Sequence, residues 1–254
     1  MSRNQLIYGI HAVLGTLRAS PGNVLELWID QRRQDARMRA IVDAAQQMGL
    51  KVQAVQSKTL QRLVGEAGHQ GVVARYRLGP ALAENDLLKI LDGIDVPALL
   101  LVLDGVTDPH NLGACLRTAE AAGVHAVIAP ADRAAPITPV VRKIACGAAE
   151  RLPFVIVSNL ARTLRVLQSQ GLWICGTDER AGTCLYELDL TTPLALVLGA
   201  EGKGMRRLTR EHCDYLSYLP MAGRVESLNV SVAAGICLYE ALRQRSGAIQ
   251  PKRT

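Results

Sequence analysis

The apolar positions change period several times along the first third of the chain. The stretch from Gly9 to Arg18 is helix-like, and VLELWI at 24–29 reads as a strand. Met38, Ile41, Val42 and Ala45 stand at helical spacing and predict a helix over 35–48. Short strands at 51–55 and 71–76 flank a helix that starts near Ser57. LGPALAEN at 78–85 is built of Gly, Pro and small residues. A linker over 79–97 is therefore predicted, separating a domain of residues 1–78 from one of residues 98–246. The polar GAIQPKRT at 247–254 reads as a disordered tail.

From Pro97 onward the pattern alternates. Near-continuous apolar runs at 99–103, 124–129, 153–157, 172–176, 194–198 and 215–219 predict strands. Helical patterns lie between most of them, such as Leu160, Leu164 and Leu167 at i, i+4 and i+7. Apolar strands separated by helices predict an α/β fold with a parallel sheet covered on both faces. Ligands of such sheets bind outside the carboxyl ends of the strands.

Composition narrows the classes. Hydrophobic residues make up 49% of the 254, which excludes a disordered chain, and a single Phe leaves the core to aliphatic residues and alanine. No apolar run approaches the roughly 18 to 20 residues of a membrane span. The N-terminal MSRNQLIYGIHAVLGTL reads as the start of a fold and not as a signal peptide. The cysteines at 115, 146, 175, 184, 213 and 237 form no CxxC pair, so a zinc site or disulfide framework is a poor reading and a reducing cytoplasm suits them. Residues 1–78 hold eleven Lys/Arg against five Asp/Glu, whereas 79–254 hold eighteen of each. The whole positive excess thus lies in the first third, around Arg32, Arg33, Arg37 and Arg39. That is the footprint of a polyanion partner, although a solvated helix face would look similar.

Three strand-end loops are unusual. In DGVTDPHNLGACLRTAEAAGV, Asp108 or Asn111 can cap a helix with Pro109 in its first turn. His110 and Arg117 share a stripe on that helix, with Gly113 between them; Arg117 could equally be an exposed partner of Glu120. LVLGAEGKGMRRLTREH spaces its glycines at 199, 202 and 204, which is neither the dinucleotide order nor a P-loop. In PMAGRVESLNVSVAAGICLYEALRQR, Ser227 can cap a last helix whose apolar face runs Leu228, Val232, Ile236 and Leu242. Each loop alone is explained as well by capping or a tight turn.

In this order and at these spacings, DPHNLGACLRTAEAAG, LVLGAEGKGM and LPMAGRVESLNVSVAAGI resemble the three signature motifs of the SpoU (TrmH-like) RNA 2′-O-ribose methyltransferases. IYGIHAV at 7–13 and HQGVVARY at 69–76 extend the resemblance over nearly all of residues 5–245. The family resemblance implies S-adenosyl-L-methionine as cofactor and a guanosine ribose 2′-hydroxyl of bacterial 23S ribosomal RNA as acceptor. It implies a SPOUT-type α/β catalytic domain whose C-terminal segment is threaded into a trefoil knot. General topology rules would have given an ordinary doubly wound sheet. It also implies a smaller L30e-like N-terminal domain that binds RNA, which agrees with the charge asymmetry and assigns Arg32, Arg33, Arg37 and Arg39 to RNA. A cytoplasmic homodimer, without metal or membrane, acting on 23S RNA or a ribosome assembly intermediate is the implied setting.

Carried over residue by residue, the resemblance places Thr177, Gly199, Gly202, Leu219, Met221 and Leu228 around the cofactor. It places Asn111, Arg117, Glu201, Ser227 and Asn229 at the catalytic centre. Arg117 stands where the family's proposed general base stands. A free guanidinium has a pKa of about 12.5 to 13.8, so orienting the ribose or anchoring a phosphate is the alternative role. Glu226 departs from the family pattern, which has a small polar residue there. Other readings are a dehydrogenase, disfavoured by the glycine order, a transfer-RNA methyltransferase of the same family, and a non-catalytic RNA-binding assembly factor.

Overall fold

The computed structural model describes residues 4–65, 68–77, 79 and 81–248. The chain forms two units, one of Met1–Pro80 with Ile137–Arg151 and one of Ala81–Pro136 with Leu152–Thr254.

The first unit is built on β1 (Asn4–Tyr8), α1 (Ile10–Ala19), β2 (Val24–Asp30), α2 (Ala36–Gln47), β3 (Val52–Val55), α3 (Ser57–Val64) and β4 (Val72–Arg77). Its sheet runs β1-β4-β2-β3, with β4 antiparallel to β1 and β2, and β3 parallel to β2. The pleat alternates side chains between two covered faces. Val72 and Ala74 join Val13, Leu17, Leu27 and Ile41 on one face, while Val73 joins Trp28 and Leu60 on the other. The strand Asn4–Tyr8 was not anticipated: it pairs with β4, and its apolar second half buries Ile7 and Tyr8 in the two cores.

The second unit carries α4 (Glu84–Asp92), β5 (Leu99–Asp104), α5 (Pro109–Ala121) and β6 (Ala126–Pro130). Next in the chain come α6 (Pro139–Ala145) and α7 (Ala148–Arg151), which count with the first unit. The second unit resumes with β7 (Phe154–Val157), α8 (Leu160–Ser169), β8 (Trp173–Thr177), β9 (Thr183–Cys184) and β10 (Leu194–Gly199). It ends with α9 (Arg207–Glu211), β11 (Tyr215–Tyr218) and α10 (Val230–Arg245). Seven parallel strands follow the order β7-β6-β5-β10-β8-β11-β9. Every residue of β5 is buried, which explains the unbroken apolar run ALLLVL. Because β10 sits between β5 and β8, the carboxyl ends of strands far apart in sequence lie side by side.

Two expectations change. The presumed linker contains α4, and Leu87, 1% exposed, packs into the core with Leu100, Val102 and Leu164. Glycine and proline mark only the two ends of that segment, Gly79 and Pro80 before α4 and Gly93 and Pro97 after it. The apolar face of the last helix is Val230, Ala234, Cys237, Leu238 and Ala241, not the stripe through Val232, which is 50% exposed. The tail beyond Ala248 lies outside the described residues. Among the described residues no helix is long and apolar enough to cross a membrane.

Within the first unit, α1 and the α6–α7 segment meet at two glycines. A Cβ on Gly15 would stand 2.6 Å from the Cα of Gly147. Nearby, Arg142 and Glu150 form an ion pair at 2.5 Å with side chains 7% and 0% exposed, and the Arg142 guanidinium lies 5.2 Å from the Tyr76 ring centroid.

Candidate active site

Asp108, the residue before α5, accepts a hydrogen bond from the His110 backbone N–H at 2.9 Å and so starts the helix, with Pro109 in its first turn. That choice leaves Asn111 free to point elsewhere. Its amide donates to Glu201 Oε1 at 3.2 Å, across 90 positions of sequence.

Glu201 sits on the glycine loop after β10. Ala200 and Gly204 exchange backbone hydrogen bonds of 3.2 and 2.8 Å, which folds the loop back on itself. Gly202 and Gly204 take φ of 71° and 64°, the left-handed region that favours glycine. Gly199 has a different constraint: a Cβ there would stand 2.1 Å from the Gly204 carbonyl carbon. The glycine spacing that matched no nucleotide fingerprint is thus the signature of a reversed loop lifting one carboxylate.

The third loop meets the other two. Asn229, and not Ser227 as expected, caps α10, because the helix begins two residues later than its apolar pattern suggested. Its Oδ1 accepts from the Ser231 N–H at 2.9 Å and the Ser231 hydroxyl at 2.6 Å. Its Nδ2 donates to Glu201 Oε1 at 2.6 Å and to Asn111 Oδ1 at 2.9 Å. The Val230 N–H adds a further bond to Glu201 Oε1 at 3.1 Å. One carboxylate oxygen at a helix N-terminus therefore gathers all three loops, and the helix dipole favours a negative charge there.

Beside this junction lies an open cleft of about 660 Å³. Thr177, Gly199, Gly202, Leu219, Met221 and Leu228, the six positions assigned to the cofactor, all line it. Glu201 and Ser227 face the same space, whereas Asn111 and Asn229 reach it through Glu201. Leucine and methionine walls, the open backbone of a glycine loop and a few charged groups suit an adenosine carrying a charged amino-acid arm. Gly202 and Gly204, which also line the cleft, have open space where a Cβ would stand, so the loop backbone is accessible to a ligand there. Arg117 is exposed on α5 and makes no hydrogen bond or ion pair among the described residues.

Charged groups that sequence reasoning passed over brace the cleft. Asp178, after β8, pairs with Arg210 of α9 at 2.7 Å, and both line the cleft. Asp104, the last residue of β5, pairs with Arg206 at 2.6 Å. A single carboxylate ending an otherwise apolar strand was the available signal for Asp104. Beneath the junction, burial together with the Glu201 charge pushes the Cys115 thiol up to about 12. All six cysteines are free thiols. Among the described residues no group of three or more His, Cys, Asp or Glu could hold a metal.

The four basic residues assigned to RNA lie at and after the end of β2. Arg32 and Arg37 are exposed. Arg33 pairs with Asp35 at 2.5 Å and donates to the Gln70 carbonyl, while Arg39 donates to the Gln34 carbonyl at 3.2 Å. Two of the four therefore also brace the turn before α2.

Comparison with known proteins agrees with this arrangement. Residues 98–239 match the model of the SpoU rRNA Methylase family, and residues 6–78 match the model described as RNA 2′-O ribose methyltransferase substrate binding. The 23S rRNA (guanosine-2′-O-)-methyltransferase RlmB of Pseudomonas syringae is 55% identical over 99% of this chain and 100% of its own length. Its counterpart from Pectobacterium atrosepticum is 53% identical over 96% of this chain and all of its own. Among solved structures, the SpoU methyltransferase AviRb of Streptomyces viridochromogenes, in complex with AdoMet, superposes with a TM-score of 0.78 at 27% identity, covering 95% of this chain and 90% of that one. Two family models matched in chain order, and relatives aligned end to end at more than half identity, leave one conclusion: the chain belongs to the SpoU rRNA methylase family.

Proposed function

We propose that this chain transfers a methyl group from S-adenosyl-L-methionine to the 2′-hydroxyl of a guanosine ribose in 23S ribosomal RNA. The observation that carries the reading is the junction at Glu201 Oε1, where Asn111, Asn229 and Val230 meet beside the cleft. The names of the full-length relatives support the acceptor, and the AdoMet complex of AviRb supports the donor.

When bound, the cofactor supplies an electrophilic sulfonium methyl. The chain must hold the ribose oxygen in line with it and give the hydroxyl proton a destination. Gly199, Gly202, Thr177, Leu219, Met221 and Leu228 form the walls that bind the donor. Asn111, Glu201 and Asn229 make a rigid polar floor, and Ser227 offers an exposed hydroxyl at its edge. Arg117 orients the target nucleotide by a bidentate contact to phosphate. A guanidinium donates hydrogen bonds and offers no acceptor, so electrostatic orientation is the better role for it than proton abstraction.

The first unit binds RNA, with Arg32, Arg33, Arg37 and Arg39 among its contacts, on an L30e-like scaffold. Its match to the substrate-binding model supports this, as does its excess charge. Membership in the SpoU family supports a C-terminal segment threaded as a trefoil knot. The active form is a cytoplasmic homodimer, and its substrate is 23S RNA or a ribosome assembly intermediate.

The test is methylation of 23S RNA from a strain lacking this protein, with the modified ribose mapped by alkaline-resistant linkage. Arg117→Ala should lose turnover while binding the donor normally. A variant that methylates at near wild-type rate would remove Arg117 from the mechanism, and wild-type protein inactive on that RNA would overturn the acceptor.

A further inference from the structure

We infer that Asp104, acting through Arg206, is a positioning residue that sets the shape of the glycine loop. The inference rests on the methyl-transfer reading above. Asp104 stands opposite Gly199 in the parallel register, at the point where β10 enters the loop. Its side chain is 0% exposed. Oδ2 accepts the Arg206 backbone N–H at 2.8 Å, and Oδ1 accepts the Arg206 Nε–H at 2.6 Å. The same guanidinium reaches Asp132, after β6, at 3.3 Å. Arg206 is thus held by both its backbone and its side chain at the place where the loop ends.

A buried carboxylate is a poor way to stabilise a sheet, because desolvation offsets most of the attraction to its partner. Its value here is geometric. A charge-assisted two-point contact fixes direction as well as distance. The loop between Gly199 and Arg206 is short, and its tip is closed by the Ala200–Gly204 bonds. With one end continuous with β10 and the other clamped to β5, the loop has little freedom left. Glu201 lies between those anchors and carries the three-loop junction. The same loop forms one wall of the cleft. Releasing the clamp should therefore disturb donor binding and the catalytic floor together, without touching RNA directly.

The experiment compares Asp104→Asn, Arg206→Ala and Arg206→Lys with wild type. It reads donor Kd by calorimetry without RNA, then kcat and the KM for 23S RNA. For Asp104→Asn and Arg206→Ala, donor Kd should rise about tenfold, as for loss of one charge-assisted contact. Their kcat should fall by about ten- to a hundredfold, the scale of a small misplacement at the reacting centre. The KM for RNA should stay within about twofold of wild type, since no RNA contact is removed. Arg206→Lys keeps the backbone bond and the charge, so it should recover part of both losses. If Asp104→Asn does not fold, the two variants of the half-exposed Arg206 decide the matter. A folded Arg206→Ala with donor Kd and kcat both near wild type, or one that lowers only the melting temperature, overturns the inference. So does a rise in RNA KM alone. Wild-type protein that fails to bind the donor would instead overturn the methyl-transfer reading.

Discussion

Asn229 Nδ2 stands 2.6 Å from Glu201 Oε1, although 28 positions separate the two residues. The same asparagine caps α10 through its other atom, so one side chain both starts a helix and closes the junction. Asn229→Asp separates these roles. An aspartate still caps the helix, but it cannot donate to Glu201 and sets a like charge against it. We expect turnover to fall by about a hundredfold or more, as when a preorganised donor is lost. Helix stability should change by less than the ~1 kcal/mol that loss of a cap costs. Single-turnover kinetics beside thermal melting would show the split, and a melt that collapses with activity would count against it.

Gly199 and Gly202 should respond differently to alanine. At Gly199 a Cβ would meet backbone at 2.1 Å, so the loop has to move. At Gly202 nothing lies within 4 Å, and the only penalty is a φ of 71°. Gly202→Ala should cost about 1 kcal/mol of local strain. Gly199→Ala should abolish measurable donor binding. Equal affinities for the two variants, measured by calorimetry, would contradict the loop geometry.

The thiols report the packing of the second unit. Burial pushes Cys115, Cys213 and Cys237 up to about 12. At pH 8 these side chains stay protonated and should resist iodoacetamide in the native protein, since only the thiolate attacks. All six should label in denaturant. Peptide mass mapping after a timed pulse checks this, and rapid native alkylation of Cys237 would be incompatible with the core described.

The Arg142–Glu150 pair should be costly to break. Both side chains are nearly inaccessible, so Glu150→Ala leaves a guanidinium buried without its partner. We expect a loss of about 3 to 5 kcal/mol from the first unit, the range for removing one member of a buried pair. Arg142→Met with Glu150→Leu together should recover much of it. Urea melts of the three variants test the order.

Much of this was legible locally. Near-continuous apolar runs of five or six residues marked every strand of the large sheet except β9, two residues long, because a parallel sheet covered on both faces demands such sequence. Helix periods placed α2 and α8 closely, and the three loops were conspicuous as departures from those periods. The charge excess of the first third was also a matter of counting. Errors came where a neighbour outvoted local chemistry. Asn4–Tyr8 is a strand because β4 pairs with it, α4 is ordered because Leu87 fills the core, and α10 starts at Val230 because the Asn229 side chain turns back onto the helix it caps.

What the amino-acid order determined alone is the set of elements and the residue types offered at the strand ends, since both follow from periodicity and turn chemistry over a few positions. Only the tertiary structure decided which of those residues meet. Asn111 and Asn229 are 118 positions apart, and Asp104 and Arg206 are 102 apart. They become neighbours because β10 is laid between β5 and β8. Strand order is set by the burial of whole faces, a property of the packed sheet that no short window of sequence contains.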